Sequence, residues 1–140
     1  MQRRDFINLG LVSAGVGLVA PGVAIAGKKQ NLAGGVYYTE KNPGRWAKKV
    51  AGHLPNIEIK NKGSKVDVTV TTAHGMDGYE HYIVKHVLLD QNYKFLDEKM
   101  FDPMKDKVPV SSFTLENYKG YLHVLSMCNK HDVWLKGVKI

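Results

Sequence analysis

The segment KVDVTVTT, residues 65–72, carries the clearest structural signal in the chain. Val66, Val68 and Val70 alternate with polar residues, and a period of two is typical of a strand with one face buried and the other in solvent. β-Branched residues also favour this extended conformation. The segment therefore predicts a half-buried β-strand, whose pairing partners must lie elsewhere in the chain.

Further segments of strand composition flank it on both sides. They are rich in β-branched and aromatic residues, turn-forming residues separate them, and no helical periodicity competes with the pattern. Together they predict an all-β fold, an antiparallel β-sandwich of about seven short strands. The seven segments are NIEIK, KVDVTVTT, EHYIVKHVLL, NYKFLDEKMF, VPVSSFTL, GYLHVLSMC and VWLKGVKI.

The first 26 residues have the composition of an export signal. A twin-arginine pair, Arg3 and Arg4, precedes an apolar run, and the small residues AIA at positions 24–26 suit cleavage. The alternative is a membrane anchor, but glycine and proline interrupt the run, which is shorter than the roughly 20 apolar residues that span a bilayer. We therefore expect a twin-arginine signal peptide and a periplasmic or otherwise exported protein without a stable membrane anchor after cleavage.

These signals divide the chain into three parts. Residues 1–26 form the predicted signal peptide. Residues 27–55 are rich in Gly and Lys and predict an extended arm and loop, with a short helical turn around residues 45–50. Residues 56–140 hold the predicted β-sandwich, a length suited to one domain with one core.

The charge of the chain restricts its partners. Twenty Lys and Arg against 13 Asp and Glu give a net charge of +7, which attracts small anions or an acidic redox partner. Nucleic acid is not expected as a partner, because an exported chain with no Arg-rich, aromatic-interleaved stretch lacks the features of nucleic-acid recognition.

Histidines gather at the predicted strand ends, together with the single cysteine of the chain. His74 ends one predicted strand and His81 begins the next, and Cys128 lies three residues before His131 across a predicted turn. If consecutive strands are antiparallel, these four side chains converge at one edge of the sandwich, and His53 reaches in from the preceding loop. His86 and His123 each lie five residues from a member of this group, so they point to the opposite face of their strands.

This combination of residues points to a metal site. The simplest alternative is that the loop histidines are merely exposed, as histidines often are. Several histidines at strand ends beside the sole cysteine favour a site, and neutral imidazoles with a thiolate suit Fe, Cu or Zn rather than Mg or Ca.

Three ordered motifs resemble those of the superoxide reductases, the iron-binding domain of desulfoferrodoxin and neelaredoxin. YLHVLSMCNKHDVW resembles their Cys-Asn-x-His-Gly-x-Trp signature, HGMDGYEHYI their His-Pro-Met-x-x-Glu-His-Tyr-Ile segment, and HLPNIEI their His-Val-Pro-x-Ile stretch. The resemblance implies an immunoglobulin-like β-sandwich of the one-iron type. It implies one non-haem iron that reduces superoxide to hydrogen peroxide, with these ligands: His53, His74, His81 and His131 in the equatorial plane and Cys128 as the axial thiolate.

The chain departs from the family pattern at three places. Ala51 and Gly52 stand where the family carries Glu-Lys before the first histidine, so Lys48 and Lys49 are the candidates to attract superoxide in place of that lysine. The interval from His74 to His81 is one residue longer than usual, with Gly75 in place of Pro. Asp132 replaces the usual Gly and adds a carboxylate near the site.

Other functions remain open at this stage. A non-catalytic iron-binding, sensing or electron-transfer module fits the loss of the Glu-Lys pair, and a blue-copper protein fits less well because no Met follows the last histidine. The reductase interpretation requires an external, periplasmic electron donor of unknown identity, and a homo-oligomer is compatible with the sequence. It also predicts that the backbone N–H groups of Asn129 and Lys130 donate hydrogen bonds to the cysteine sulfur.

Overall fold

The structure, a computed structural model, describes residues 31–140. The predicted signal peptide and the first residues of the predicted arm lie outside this range. Within it the chain forms seven strands, and the all-β prediction is confirmed. The strands are β1 (Asn56–Lys62), β2 (Lys65–Thr71), β3 (Ile83–Leu89), β4 (Phe95–Met100), β5 (Val110–Glu116), β6 (Tyr121–Cys128) and β7 (Asp132–Lys139).

The described strands pair into two antiparallel sheets. One sheet has three strands in the order β1-β2-β5, and the other has four in the order β4-β3-β6-β7. β2 and β3 are consecutive in the chain but lie in different sheets, so the segment between them passes from one sheet to the other. This crossover loop carries His74 and His81.

Apolar side chains from both sheets fill the space between them. The alternation in β2 has the predicted consequence, because Val66, Val68 and Val70 are all buried while the residues between them are half-exposed. The main cluster joins these valines to buried residues of β3, β5 and β6. Its members are Val66, Val68, Val70, Leu88, Phe113, Leu122 and Val124.

A helical segment precedes the first strand. It consists of a 3₁₀ helix, Gly44–Lys49, that continues into one α-helical turn, α1 (Val50–His53). The turn ends where Leu54 adopts an extended backbone, because a following proline, here Pro55, disfavours the helical conformation at the residue before it. The predicted helical turn at residues 45–50 therefore extends to His53.

Upstream of the helical segment the chain runs along β7. The backbone N–H of Tyr38 donates a hydrogen bond to the Val133 carbonyl, and the Tyr38 carbonyl accepts one from the backbone N–H of Leu135. The Tyr38 side chain is buried against Trp134. The Gly- and Lys-rich composition of this region gave no sign of that core position.

None of the helices within residues 31–140 has both the length and the hydropathy to span a bilayer.

Candidate metal centre

Five side chains meet at one end of the sandwich. Each offers one donor atom, and these atoms all lie within 4.8 Å of one another. They are the five residues singled out from the sequence: His53, His74, His81, Cys128 and His131. The cluster draws on three separate parts of the chain, so the tertiary fold must assemble it.

His53 comes from the helical segment rather than from a loop. It is the last residue of α1 and is buried, and its Nδ1–H donates to the carbonyl of Lys49 one turn earlier, at 2.9 Å. This hydrogen bond fixes the ring so that Nε2 points into the cluster.

The crossover loop supplies His74 and His81. The backbone N–H of Thr72 donates to the Pro109 carbonyl, and Asp77 and His81 form an isolated antiparallel bridge. Between them Gly78 has a φ of 56°, a left-handed conformation that glycine adopts without a steric penalty. The loop thus folds back on itself and presents both histidines to the same point.

The hairpin between β6 and β7 supplies Cys128 and His131. β3 begins beside the end of β6, with Ile83 opposite Cys128, so the strand pairing brings the chain near His81 to the thiol. Cys128 is buried against Ile83 and Phe101. The indole N–H of the fully buried Trp134 donates to the His131 carbonyl at 2.9 Å, which anchors the turn to the core.

Four ring nitrogens follow one another at a nearly constant spacing. His53 Nε2 lies 3.1 Å from His131 Nδ1, which lies 3.2 Å from His81 Nε2, which lies 3.1 Å from His74 Nε2. Donors on opposite sides of an ion at a normal metal–imidazole distance of about 2.1 Å are about 4.2 Å apart, which fits a cluster whose donor atoms all lie within 4.8 Å of one another. Cys128 Sγ lies 3.5 Å from His131 Nδ1 and 3.8 Å from His74 Nε2.

The hydrogen bonds around the cluster fit a cation at its centre. The Nδ1–H groups of His53 and His74 donate outward, to the carbonyls of Lys49 and Gly75. Their inward Nε2 atoms therefore carry lone pairs, as the tautomer of a metal-ligating histidine requires. Imidazole lone pairs that point into one cluster beside a thiol are ligands for a cation, so the donor set matches a metal ion of the Fe, Cu or Zn class.

Burial and neighbouring charge favour the neutral form of three of these imidazoles, because they lower the pKa of each. Burial lowers the pKa of His53 to about 4. Burial, followed by the positive charge of neighbouring histidines, also lowers the pKa of His81 and of His131, and the charge of Lys49 adds to the effect at both. Neutral rings at physiological pH are available as ligands.

Asn129 holds the loop that carries His81, a role that the sequence did not reveal. Its side-chain Oδ1 accepts the backbone N–H of Tyr82, and its Nδ2 donates to the carbonyls of Tyr79 and Glu80. Its backbone N–H donates to the Tyr82 carbonyl at 3.2 Å. The prediction that this N–H binds the cysteine sulfur is therefore wrong, because the hairpin turn is bonded to the crossover loop instead.

The carboxylate of Asp132 turns away from the ring nitrogens. Its Oδ2 accepts hydrogen bonds from the Trp46 indole at 2.8 Å and from the Arg45 guanidinium at 2.6 Å. These two donors, the indole first, lower the pKa of the Asp132 carboxyl. The added carboxylate is thus a partner of the helical segment and not a sixth donor of the cluster.

The remaining predicted residues lie outside the cluster. His86 is fully buried between the sheets, and His123 stacks on Tyr93 with ring centroids 4.4 Å apart. Lys48 and Lys49 are exposed at the end of the 3₁₀ helix, where Lys49 both fixes His53 through its carbonyl and acts electrostatically on the histidines.

Comparisons with known proteins agree with this site. The family model described as desulfoferrodoxin matches residues 44–137. No match was found among curated proteins.

Solved structures of similar fold include superoxide reductases. A substituted form of the superoxide reductase (neelaredoxin) from Ignicoccus hospitalis is 26% identical with a TM-score of 0.66, and the match covers 75% of this chain and 93% of that one. A superoxide reductase in its oxidized state is 28% identical with a TM-score of 0.53, over 63% and 87% of the two chains. A hypothetical protein from Pyrococcus horikoshii is 26% identical with a TM-score of 0.55, over 62% and 85%. Because the family model spans about two-thirds of the chain and contains all five clustered donors, the chain belongs to the desulfoferrodoxin family.

Proposed function

We propose that this protein binds one non-haem iron at the five-donor cluster and reduces superoxide to hydrogen peroxide there. The observation that carries the proposal is the convergence of four imidazole nitrogens beside a buried thiol, with all five donor atoms within 4.8 Å of one another. Membership of the desulfoferrodoxin family and structural similarity to superoxide reductases support iron as the metal.

The bound iron would supply a single electron by cycling between its ferrous and ferric states. The protein's part would be to hold that ion with the imidazoles of four histidines and the thiolate of Cys128, which leaves one face of the cluster free. Cys128 lies on the core side, against Ile83 and Phe101. His74, His81 and His131 are half-exposed, so solvent reaches the free face and delivers the two protons that hydrogen peroxide needs.

Cys128 has an electronic role in this proposal. A thiolate would donate electron density to the bound metal, and hydrogen bonds to the sulfur and its burial would tune that donation. The apolar wall around Cys128 keeps water from the sulfur, so its donation is not weakened by solvation.

Positive charge near the free face would guide the anionic substrate. Lys49 precedes the turn that bears His53, and Lys130 lies beside His131; the charge of each lowers the pKa of His81, after burial and His74. An arrangement of this kind raises the rate of capture of an anion and loses its effect as salt increases. Of the two lysines predicted to attract superoxide, Lys49 is therefore the better candidate, and Lys130 is a further one.

The proposed cycle needs an external electron donor. An acidic, periplasmic redox protein suits a chain of net charge +7 that is exported by the twin-arginine route. Export and the identity of that donor are part of the proposal.

One observation favours a second function. Ala51 and Gly52 offer no side chain that can reach the substrate, at positions where the resemblance implies Glu and Lys. A site that keeps its metal donors but lacks these groups would suit a non-catalytic iron-binding or electron-transfer module. Blue copper is the weaker alternative, because such a site uses two histidines where four converge here.

The deciding experiment is metal analysis of the purified protein, an optical spectrum after oxidation, and stopped-flow mixing of the reduced protein with superoxide. The reductase proposal predicts about one iron per chain, a visible thiolate-to-ferric band and rapid oxidation by superoxide. Iron with the band but slow oxidation would favour the non-catalytic module. Copper, or no metal, would overturn the assignment of the site.

Matched variants make the result specific. Cys128→Ser removes the thiolate and should abolish the charge-transfer band while the strands still form. His123→Gln, which changes a histidine on the outer face of the sandwich next to Tyr93, should leave both the iron content and the band unchanged. A Cys128→Ser protein that keeps the band would exclude Cys128 as a ligand.

A further inference from the structure

The helical segment that carries His53 has few apolar contacts to hold it in place. No residue of Gly44–Lys49 is buried, and in Val50–His53 only His53 is. Burial of apolar surface is the main source of packing energy in proteins, so this segment needs another attachment if His53 is to stay at the cluster.

Asp132 provides an attachment from the other side of the site. It directly follows His131 in the hairpin and takes a φ of 64°, a region that Gly occupies freely and Asp tolerates better than most residues. In this conformation a single oxygen, Oδ2, accepts from Trp46 Nε1 at 2.8 Å and from Arg45 Nη2 at 2.6 Å. The hairpin that bears two donors is thereby tied to the segment that bears a third.

The same bonds place an aromatic ring against a donor of the cluster. The Trp46 ring meets the His131 ring edge-on, with centroids 4.7 Å apart and planes at 90°. The Arg45 guanidinium lies over the Trp46 ring, 4.6 Å from its centroid. Asp132 thus fixes Trp46, and Trp46 limits rotation of the His131 imidazole.

The two bonds to Asp132 differ in strength. The side chains of Arg45 and Asp132 are 65% and 39% exposed, and exposed ion pairs contribute little to stability. The indole bond is part-buried, so it is less weakened by water. Trp46 should therefore matter more than Arg45.

We propose that Asp132 is a positioning residue, which clamps the helical segment Gly44–His53 to the β6–β7 hairpin and so controls how firmly His53 and His131 retain the metal. This inference rests on the metal site of the proposed function, but it does not depend on superoxide as the substrate. It also gives a physical role to the carboxylate that stands where the family resemblance implies Gly.

The test is the rate at which a strong chelator removes iron from the protein, together with the optical and EPR spectra of the oxidised form. Asp132→Gly fits the backbone conformation and deletes both hydrogen bonds, so we expect metal loss to accelerate on the order of tenfold. The spectra should also change, because the His131 ring gains freedom. Asp132→Asn keeps an oxygen for the indole N–H and should restore most of the wild-type behaviour.

Variants of the two residues that donate to Asp132 show which hydrogen bond slows the loss of metal. Trp46→Phe removes the indole donor but keeps an aromatic edge near His131, and should accelerate metal loss nearly as much as Asp132→Gly. The double variant should be no worse than Asp132→Gly, since residues of one network are not additive. Arg45→Gln should have a smaller effect than either.

Asp67→Asn is the matched control. Asp67 also accepts from a cation at 2.6 Å, Lys62, and from a second donor at 2.9 Å, Thr114, but it lies in the three-stranded sheet. It should leave metal loss and spectra unchanged. If Asp132→Gly releases iron no faster than Asp67→Asn, with unaltered spectra, the clamp is refuted.

The failure of the clamp is distinguishable from the failure of the proposed function. If the wild-type protein holds iron but reacts slowly with superoxide, the reductase proposal is refuted. The chelator assay still tests whether Asp132 acts as a clamp. A wild-type protein that binds no metal overturns both.

Discussion

His86 is a titratable side chain sealed between the two sheets. It is fully buried, and its Nε2 and Nδ1 lie 2.8 Å from Thr72 Oγ1 and 2.7 Å from Ser111 Oγ. Thr72 Oγ1 in turn lies 2.8 Å from Ser126 Oγ. Burial lowers the pKa of His86 from 6.5 to about 4, so the folded protein holds this ring neutral.

The pKa difference makes stability depend on pH. In the unfolded chain His86 takes up a proton as the pH falls through about 6.5, whereas the folded chain resists until about 4. The unfolded state then binds more protons, so the free energy of unfolding falls as the pH is lowered through this window. The loss attributable to His86 should reach about 2 kcal/mol at pH 5 and level off near roughly 3 kcal/mol below pH 4.

The assay compares wild type with His86→Gln. An amide can still bond to both hydroxyl groups but does not titrate, so urea unfolding of the two proteins at a series of pH values isolates this one group. Contributions from the metal ligands and surface carboxylates are shared and cancel in the difference. The wild-type curve should fall by about 2 kcal/mol more than the variant curve between pH 7.5 and pH 5.

His123→Gln serves as the control. Burial also lowers the pKa of His123, but this ring is only half-buried on the outer face, so its variant should change the pH dependence less. Parallel stability curves for wild type and His86→Gln would refute the reasoning, because they would mean that the folded protein does not exclude the proton from this ring.

Three further outcomes follow from the site. Lys49→Met should slow the reaction with superoxide and flatten its dependence on ionic strength, more so than Lys48→Met; equal effects of the two would contradict the role given to Lys49. Trp134→Phe leaves the half-buried His131 carbonyl without its donor and should lower the free energy of unfolding by about 2 kcal/mol in urea titrations, whereas Tyr79→Phe on the exposed surface should have little effect. Removal of the metal should lower the midpoint of thermal unfolding, because a ligand that binds only the folded state stabilises it; an unchanged midpoint in calorimetry would indicate that the cluster is not occupied.

Local patterns were sufficient for the strands. Val66, Val68 and Val70 face the core as their alternation predicts, and all seven predicted segments form strands within residues 31–140. Alternation and turn chemistry depend on neighbours in the chain, so a sequence displays them directly. The placement of Cys128 and His131 at one edge was also readable, since β6 and β7 are antiparallel neighbours. The same reasoning is wrong for His74 and His81, because β2 and β3 lie in different sheets and the loop between them is a crossover.

Other features depended on contacts between distant parts of the chain. The Asp132 carboxylate faces Arg45 and Trp46, 87 and 86 positions away, and Tyr38 is buried only because it pairs alongside β7. Asn129 belongs to the Cys-Asn-x-His motif, but its bonds to the crossover loop could not be read from the hairpin alone.

The sequence by itself therefore determined the β-strands, the sandwich class and the set of five candidate donors, because hydrophobic period, turn residues and donor chemistry are local properties. Only the tertiary structure decided how closely the four imidazole nitrogens approach one another and Cys128, which tautomers His53 and His74 adopt, and which donors the Asp132 carboxylate binds. These depend on which sheet each strand joins and on hydrogen bonds that close over long separations in the chain. Neither is encoded in the spacing of nearby residues.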